Sequence, residues 1–345
     1  MRKLASIQRI WDIVPIEGAD RIELAKVLGW QCVVNKGQFE KYDMCVYFEI
    51  DSFLPIRPEF EFLRKSSYKD SPILGEGFRL KTQTFRKQIS QGLVLPLTIL
   101  PEGDYALNQD VTEILGVRKW EIEEKATTGG TVIGTLPSCI PHTDETRVQS
   151  NPALINEFKG KGYYITTKMD GSSHSICIDA DGVFHVTGHN YEYKNDGKSS
   201  FYEFVNKMGF ESRLRALYEK LGCKTIVVQG EFCAPGIQQN RLRLSAPVWY
   251  VFTVIIDDKR QNMYDTFAIA KTLWADQVPL EETGDDFVAK YPTVEAVLAR
   301  ADGQYPNGGA KEGIVIRPVE PEYCELISAP LSMKAVSNKY LLKEK

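Results

Sequence analysis

The chain has no run of 18 apolar residues, so no membrane-spanning helix is predicted. It begins Met1-Arg2-Lys3-Leu4 and passes straight into patterned sequence, without the apolar core of a signal peptide. It has only four histidines (His142, His174, His185, His189), and none has metal-binding spacing. Its cysteines (Cys32, Cys45, Cys139, Cys177, Cys223, Cys233, Cys324) are odd in number and include no Cys-x-x-Cys. That speaks against a disulfide framework and a zinc site, and for an intracellular, reducing compartment. A large excess of charge is missing too: the formal net charge is −4, so any nucleic-acid surface must be local. No internal repeat or low-complexity tract is found.

What is there fits a folded, two-domain chain: 345 residues, 43% hydrophobic and 26% charged. The first part is β-rich. Strands are predicted at Gly29-Trp30-Gln31-Cys32-Val33-Val34, from Met44 to Asp51 and from Ser90 to Leu97, separated by Gly, Asp and Pro. Short strands so punctuated predict a small barrel of the OB type over 1–122. Residues 123–141 lose any period and are predicted to be a linker. Residues 142–345 mix strands near 162–167, 174–178, 183–187, 225–232, 248–255 and 313–317 with helices near 200–221 and 287–299. Strands follow strands without regular crossover helices, so the class is α+β, with antiparallel sheets flanked by helices.

One short run carries chemistry. In Tyr164-Ile165-Thr166-Thr167-Lys168-Met169-Asp170-Gly171 a lysine leaves a β-prone stretch and meets an acid and a glycine. Alone, Lys-x-Asp-Gly arises by chance in roughly one chain in ten of this length, and it reads first as a surface lysine before an Asx-Gly turn. Four later segments stand beside it. Val227 to Gln238 delivers Glu231 into a Gly/Pro-rich turn. Trp249 to Ile255 is an aromatic strand with Phe252. Lys311-Glu312-Gly313 opens a strand running to Arg317. Leu331 to Leu341 carries Lys334 and Lys339. Each alone also reads as rim acid, core aromatic or solvated face.

Together and in order, these segments resemble the motif set of covalent nucleotidyltransferases, which comprise DNA ligases, RNA ligases and mRNA-capping guanylyltransferases. Lys168-x-Asp170-Gly171 is similar to motif I, Glu231 to motif III, Phe252 to motif IIIa, Glu312-Gly313 to motif IV and Lys334 to motif V. Gly230-Glu231 followed by Pro235-Gly236-Ile237-Gln238, and the run Ser332 to Leu341, resemble RNA ligases most. Pro15 to Glu23 resembles the N-terminal OB-type module of one RNA ligase subfamily.

The resemblance implies an ATP-dependent RNA ligase that joins RNA 3′-hydroxyl and 5′-phosphate ends through lysyl-AMP and RNA-adenylate. Lys168, Glu312 and Lys334 would be catalytic. Arg147, Thr166, Thr167, Asp170, Gly171, His189, Glu231, Phe252 and Arg317 would hold the nucleotide. Asp170, Glu231 and Glu312 would attract Mg²⁺ or Mn²⁺, largely through water. A monomer without membrane contact or an obligate protein partner is expected. A DNA ligase, a capping enzyme and a non-catalytic OB-type RNA-binding protein remain as alternatives.

The chemistry has its own demand. A free lysine, with a pKa of about 10.4, is protonated at neutral pH and must lose that proton to attack phosphorus. A metal ion or the Lys334 ammonium could lower its pKa.

Three points depart from or extend the pattern. His189 stands where many RNA ligases carry an arginine, and Ser332 stands where some carry the first lysine of a Lys-x-Lys motif V. In Thr143-Asp144-Glu145-Thr146-Arg147, Arg147 is a nucleotide or 5′-phosphate candidate or, equally, a helix-start ion pair. Residues 57–88 hold eight Lys/Arg against four acids, interleaved with Phe60, Phe62, Tyr68, Phe78 and Phe85. That mixture suits backbone contact and base stacking, or a solvated loop.

Overall fold

The computed structural model describes residues 2–120 and 130–343. The chain divides into two compact units. One comprises the described residues up to 120 with Gln149–Pro152 and the residues from Leu341. The other comprises the described residues from 130 to Val148 with Ala153–Tyr340.

In the first unit, β1 (Ala5–Pro15), β2 (Ile22–Val27), β3 (Trp30–Asn35), β4 (Met44–Phe48) and β5 (Leu93–Leu95) form an antiparallel sheet in the order β5-β4-β1-β2-β3. The 11-residue β1 serves both halves: Ala5–Arg9 pairs with β4, and the part from Ile10 pairs with β2 across a register shift at Ile10/Asp12. Such a bulge bends a strand and lets a sheet curl. The Gln91 N–H donates to the Gln31 carbonyl at 2.8 Å, tying the edges into a nearly closed barrel around Ile7, Val46, Phe48 and Phe78.

Residues 57–88 are folded rather than a long loop. They form a 3₁₀ turn (Pro58–Leu63), one helical turn (Arg64–Ser67) and two hairpins. Phe60 and Phe78 are core, while Phe62 and Phe85 are exposed. Arg57 and Arg64 pair with Glu59 and Glu61.

The second unit is built on two sheets. The first has β6 (Tyr163–Lys168) at its centre, flanked by Leu280–Gly284 and Gly313–Pro318, with Met333–Val336 beyond. Alternation decides its faces. Tyr163, Ile165, Ile314, Ile316, Met333 and Ala335 enter one core. On the other face, cross-strand partners line up as Tyr164 with Arg317, and Thr166 with Val315 and Lys334.

The chain then turns through Met169-Asp170-Gly171 into β7 (Ser172–Ile178), a strand of an eight-stranded sheet. There β7 pairs with β8 (Phe184–Thr187) and β9 (Ile226–Cys233), and β9 pairs with β10 (Val248–Ile256). Helices α1 (Ser200–Met208) and α2 (Phe210–Leu221) cover it, packing Phe201, Phe210 and Leu214 against Phe232 and Trp249.

The predicted helix 200–221 is thus two helices. Gly209, at φ +65°, caps the first and starts the second. Similarly, 287–299 breaks at Pro292 into Phe287–Lys290 and Val294–Ala301, the latter capped by Thr293. Of the predicted linker 123–141, residues 123–129 lie outside the described residues. The rest includes the edge strand Val132–Thr135, paired with Tyr191–Tyr193. Its lack of alternation follows from exposure of nearly every side chain. No helix among the described residues is long and apolar enough to cross a membrane.

Candidate active site

Lys168 ends β6 where the chain leaves one sheet for the other. The turn beyond it is tight. A Cβ on Gly171 would lie 2.5 Å from the Phe232 carbonyl oxygen and 2.7 Å from Cys233 Sγ, so only glycine fits. Gly313, the partner of Lys168 across the ladder, is equally constrained, since a Cβ there would meet the Ala335 carbonyl oxygen at 2.0 Å. Glu312 precedes it, and its Oε1 lies 2.7 Å from Lys168 Nζ. Both side chains are largely covered.

A cavity of about 190 Å³ opens beside this pair. Its walls include Thr166, Thr167, Lys168, Glu231, Phe252, His189, Arg317 and Lys334, all sequence candidates. They also include Thr143, Asp144, Glu145, Ser173 and Val278, which no motif singled out. Asp170, Gly171, Glu312 and Arg147 are not among the lining residues. Arg147 lies alongside Lys334 through a backbone bridge. His189 Nε2 stands 3.5 Å from Asp144 Oδ2.

The electrostatics are acidic around one lysine. Burial alone would lower the Lys168 pKa, but Glu312, Glu231 and Asp170 outweigh it and hold the pKa above the ordinary value. The resting lysine is therefore a paired ammonium, the reverse of the lowered pKa that attack requires. Burial pushes Glu231 up to about 7; Lys168 pulls it down, whereas Glu312 and Asp170 add to the rise. Glu231 Oε1 accepts the Gly171 N–H at 3.2 Å.

Two expected roles change. Asp170 is buried and spends both carboxylate oxygens within the protein. Oδ2 accepts from Arg241 Nη1 at 2.7 Å and Oδ1 accepts from the Tyr340 hydroxyl at 2.8 Å. The Arg241 guanidinium also lies over the Tyr340 ring, 4.2 Å from its centroid. Among the described residues no three His, Cys, Asp or Glu side chains converge as a metal-ligating group, so Asp170, Glu231 and Glu312 are not a ready-made chelating set. The donor chemistry still fits Mg²⁺ or Mn²⁺ held through water and phosphate oxygens, because such ions keep much of their hydration and use one or two carboxylates. The excess of carboxylate over cation at Lys168 favours a divalent ion there.

Arg317, expected to hold the nucleotide, is a strut instead. It donates to Glu145 Oε1 at 2.5 Å, to the Phe252 carbonyl at 2.6 Å and to Thr253 Oγ1 at 3.1 Å. Although burial works against ionisation, Arg317 and Arg260 hold the Glu145 pKa down to about 2. This pair fixes the strand that presents Phe252.

Sequence reasoning missed Glu145, Arg241 and Tyr305. The Tyr305 hydroxyl donates to the Lys168 carbonyl at 2.8 Å and accepts the Glu312 N–H at 3.2 Å. No spacing signal marks these residues, because each reaches the site from a distant loop.

Comparison with known proteins follows the same division of the chain. An OB-fold domain model matches residues 4–97, and an RNA ligase model matches residues 161–336. No curated protein sequence matches. Among solved structures, the Naegleria gruberi RNA ligase with PPi is similar at 33% identity and TM-score 0.89, over 100% of this chain and 99% of that one. A lysine-to-methionine mutant of that ligase with AMP and Mn is similar at 32% identity and TM-score 0.89, over 99% of both chains. A lysine-to-alanine mutant with ATP and Mn gives 32% and 0.88, again over 99% of both.

Proposed function

We propose, from the premise that this chain belongs to the RNA ligase family, that it seals RNA 3′-hydroxyl and 5′-phosphate ends at the expense of ATP. One observation carries the reading: Lys168 Nζ, paired with Glu312 at 2.7 Å, stands on the wall of a cavity that also presents Phe252 and Lys334. The solved relatives with ATP, AMP and Mn support the same nucleotide and a divalent ion.

The residues divide the work. Phe252 offers its ring to the base. Thr166, Thr167 and His189 line the nucleotide's path, and Lys334 offsets phosphate charge. Glu231 and Glu312 would hold a divalent ion, which when bound would supply positive charge that favours the neutral lysine and the departing pyrophosphate. The Lys168 ammonium gives up its proton, for which Glu312 is an acceptor within hydrogen-bond distance. Nζ then attacks the α-phosphorus, forming a P–N bond as pyrophosphate leaves. An RNA 5′-phosphate oxygen next displaces Lys168 and takes the AMP. Finally the 3′-hydroxyl attacks that activated phosphate, and AMP departs. In the first unit, the exposed residues Phe62, Lys65, Lys69, Phe85 and Lys87 suit stacking and backbone contact with the RNA.

The test is ligation of matched RNA and DNA strands, nicked and single-stranded, with ATP or GTP and either Mg²⁺ or Mn²⁺. ATP-dependent joining of RNA is expected. Labelling by GTP alone, or joining confined to DNA, contradicts the proposal.

A further inference from the structure

We infer that Tyr305 is a positioning residue for the lysine adenylylation step, its hydroxyl locking the backbone from which Lys168 and Glu312 project; the inference rests on the function proposed above. The ladder between β6 and the strand beginning at Gly313 ends with the Lys168–Gly313 pair. Past that point the chain turns away at Met169, and the Lys168 carbonyl and Glu312 N–H pass beyond the paired strands. A hydroxyl donates and accepts at once. Tyr305 does both, giving its proton to the Lys168 carbonyl at 2.8 Å and receiving the Glu312 N–H at 3.2 Å.

The tyrosine is itself well held. Its ring is 3% exposed and packs with Met169, Leu242 and Val278. Its own N–H donates to the Gly309 carbonyl at 2.8 Å, closing a small hairpin. That hairpin ends at Lys311, whose ammonium grips Glu281 at 2.8 Å, and Glu281 accepts the Thr167 hydroxyl at 2.7 Å. The hairpin thus meets the end of β6 at two successive residues.

The geometry matters for attack. Nζ must approach phosphorus opposite the departing pyrophosphate, and a misplacement of about 1 Å costs on the order of 10²-fold in rate. Glu312 can take up the lysine's proton only if the two backbones keep their spacing. Tyr305 is not among the residues that line the cavity, and its hydroxyl bonds only the backbone of Lys168 and Glu312, so its effect falls on the steps in which Lys168 reacts.

Tyr305→Phe keeps the ring and removes only the hydroxyl. In single-turnover assays we expect lysine adenylylation at saturating ATP to fall tenfold or more. The half-saturating ATP concentration should change less than about twofold, as should sealing of a pre-adenylylated RNA, which bypasses the lysine. An unchanged adenylylation rate overturns the inference. So does an equal loss in all three measurements, or loss of the folded state, because either assigns the hydroxyl a general structural role. Failure of the unaltered protein to form an adenylate would overturn the proposed function instead, so the two failures are distinguishable.

Discussion

The cavity is bordered by two ion pairs of different character. Lys168–Glu312 is a single contact at 2.7 Å between partly accessible groups. Arg317–Glu145 is more deeply buried on its cationic side, and the guanidinium makes further bonds to Phe252, Thr253 and Ser332. The difference separates reagent from scaffold. A lysine in one labile pair can exchange its partner for a nucleotide. An arginine bonded through all its nitrogens cannot leave without stranding a buried carboxylate.

The largest expected effect comes from breaking the scaffold pair. Arg317→Met should lower stability by about 3–5 kcal/mol, the usual cost of an uncompensated buried charge, as read by denaturant unfolding. Stability unchanged within 1 kcal/mol would mean the two pairs are alike. Breaking the labile pair should act on chemistry instead. Glu312→Gln is expected to slow lysine adenylylation on the order of 10²-fold while leaving the unfolding midpoint near that of the unaltered protein.

pH sharpens the contrast, and the signs are opposite. Glu145 is depressed to about 2 in the folded protein, so its contribution is present above its unfolded value and is lost as pH falls from about 4.5 towards 2. Glu231 is raised to about 7, so the folded state holds its proton more tightly and stability falls as pH rises from about 4.5 through 7. In metal-free protein, Glu231→Gln should therefore raise the melting temperature at pH 8 and leave it nearly unchanged at pH 4. A gain of equal size at both pH values would contradict the burial of that carboxylate. The smallest effect is expected at His189, whose partner Asp144 is largely exposed. His189→Ala should raise the half-saturating ATP concentration by no more than about threefold; a larger change would give His189 a direct part in holding the nucleotide.

Much of this organisation was legible in the sequence. The strands carrying Lys168, Glu231, Phe252 and Arg317 announce themselves as short runs rich in apolar, β-branched and aromatic residues. Lys168, Glu231, Phe252 and Lys334 indeed line one cavity. Other features were not legible, for physical reasons. The helix break at Gly209 needs its left-handed conformation, which an apolar period does not reveal. The bonds of Arg241 to Asp170 and of Tyr305 to Lys168 and Glu312 join residues far apart in the chain. A motif names the acid of Lys-x-Asp-Gly but cannot say that both its oxygens are already taken.

On the proposed function, Lys168 becomes the nucleophile although it rests as a paired ammonium. The most direct measurement is to incubate the protein with ATP carrying a labelled α-phosphate and a divalent metal, then map the label by mass spectrometry. One AMP is expected on the peptide containing Lys168, none in Lys168→Ala, and transfer of that AMP to added 5′-phosphate RNA. Covalent AMP in Lys168→Ala, or on any other residue of the unaltered protein, would contradict it.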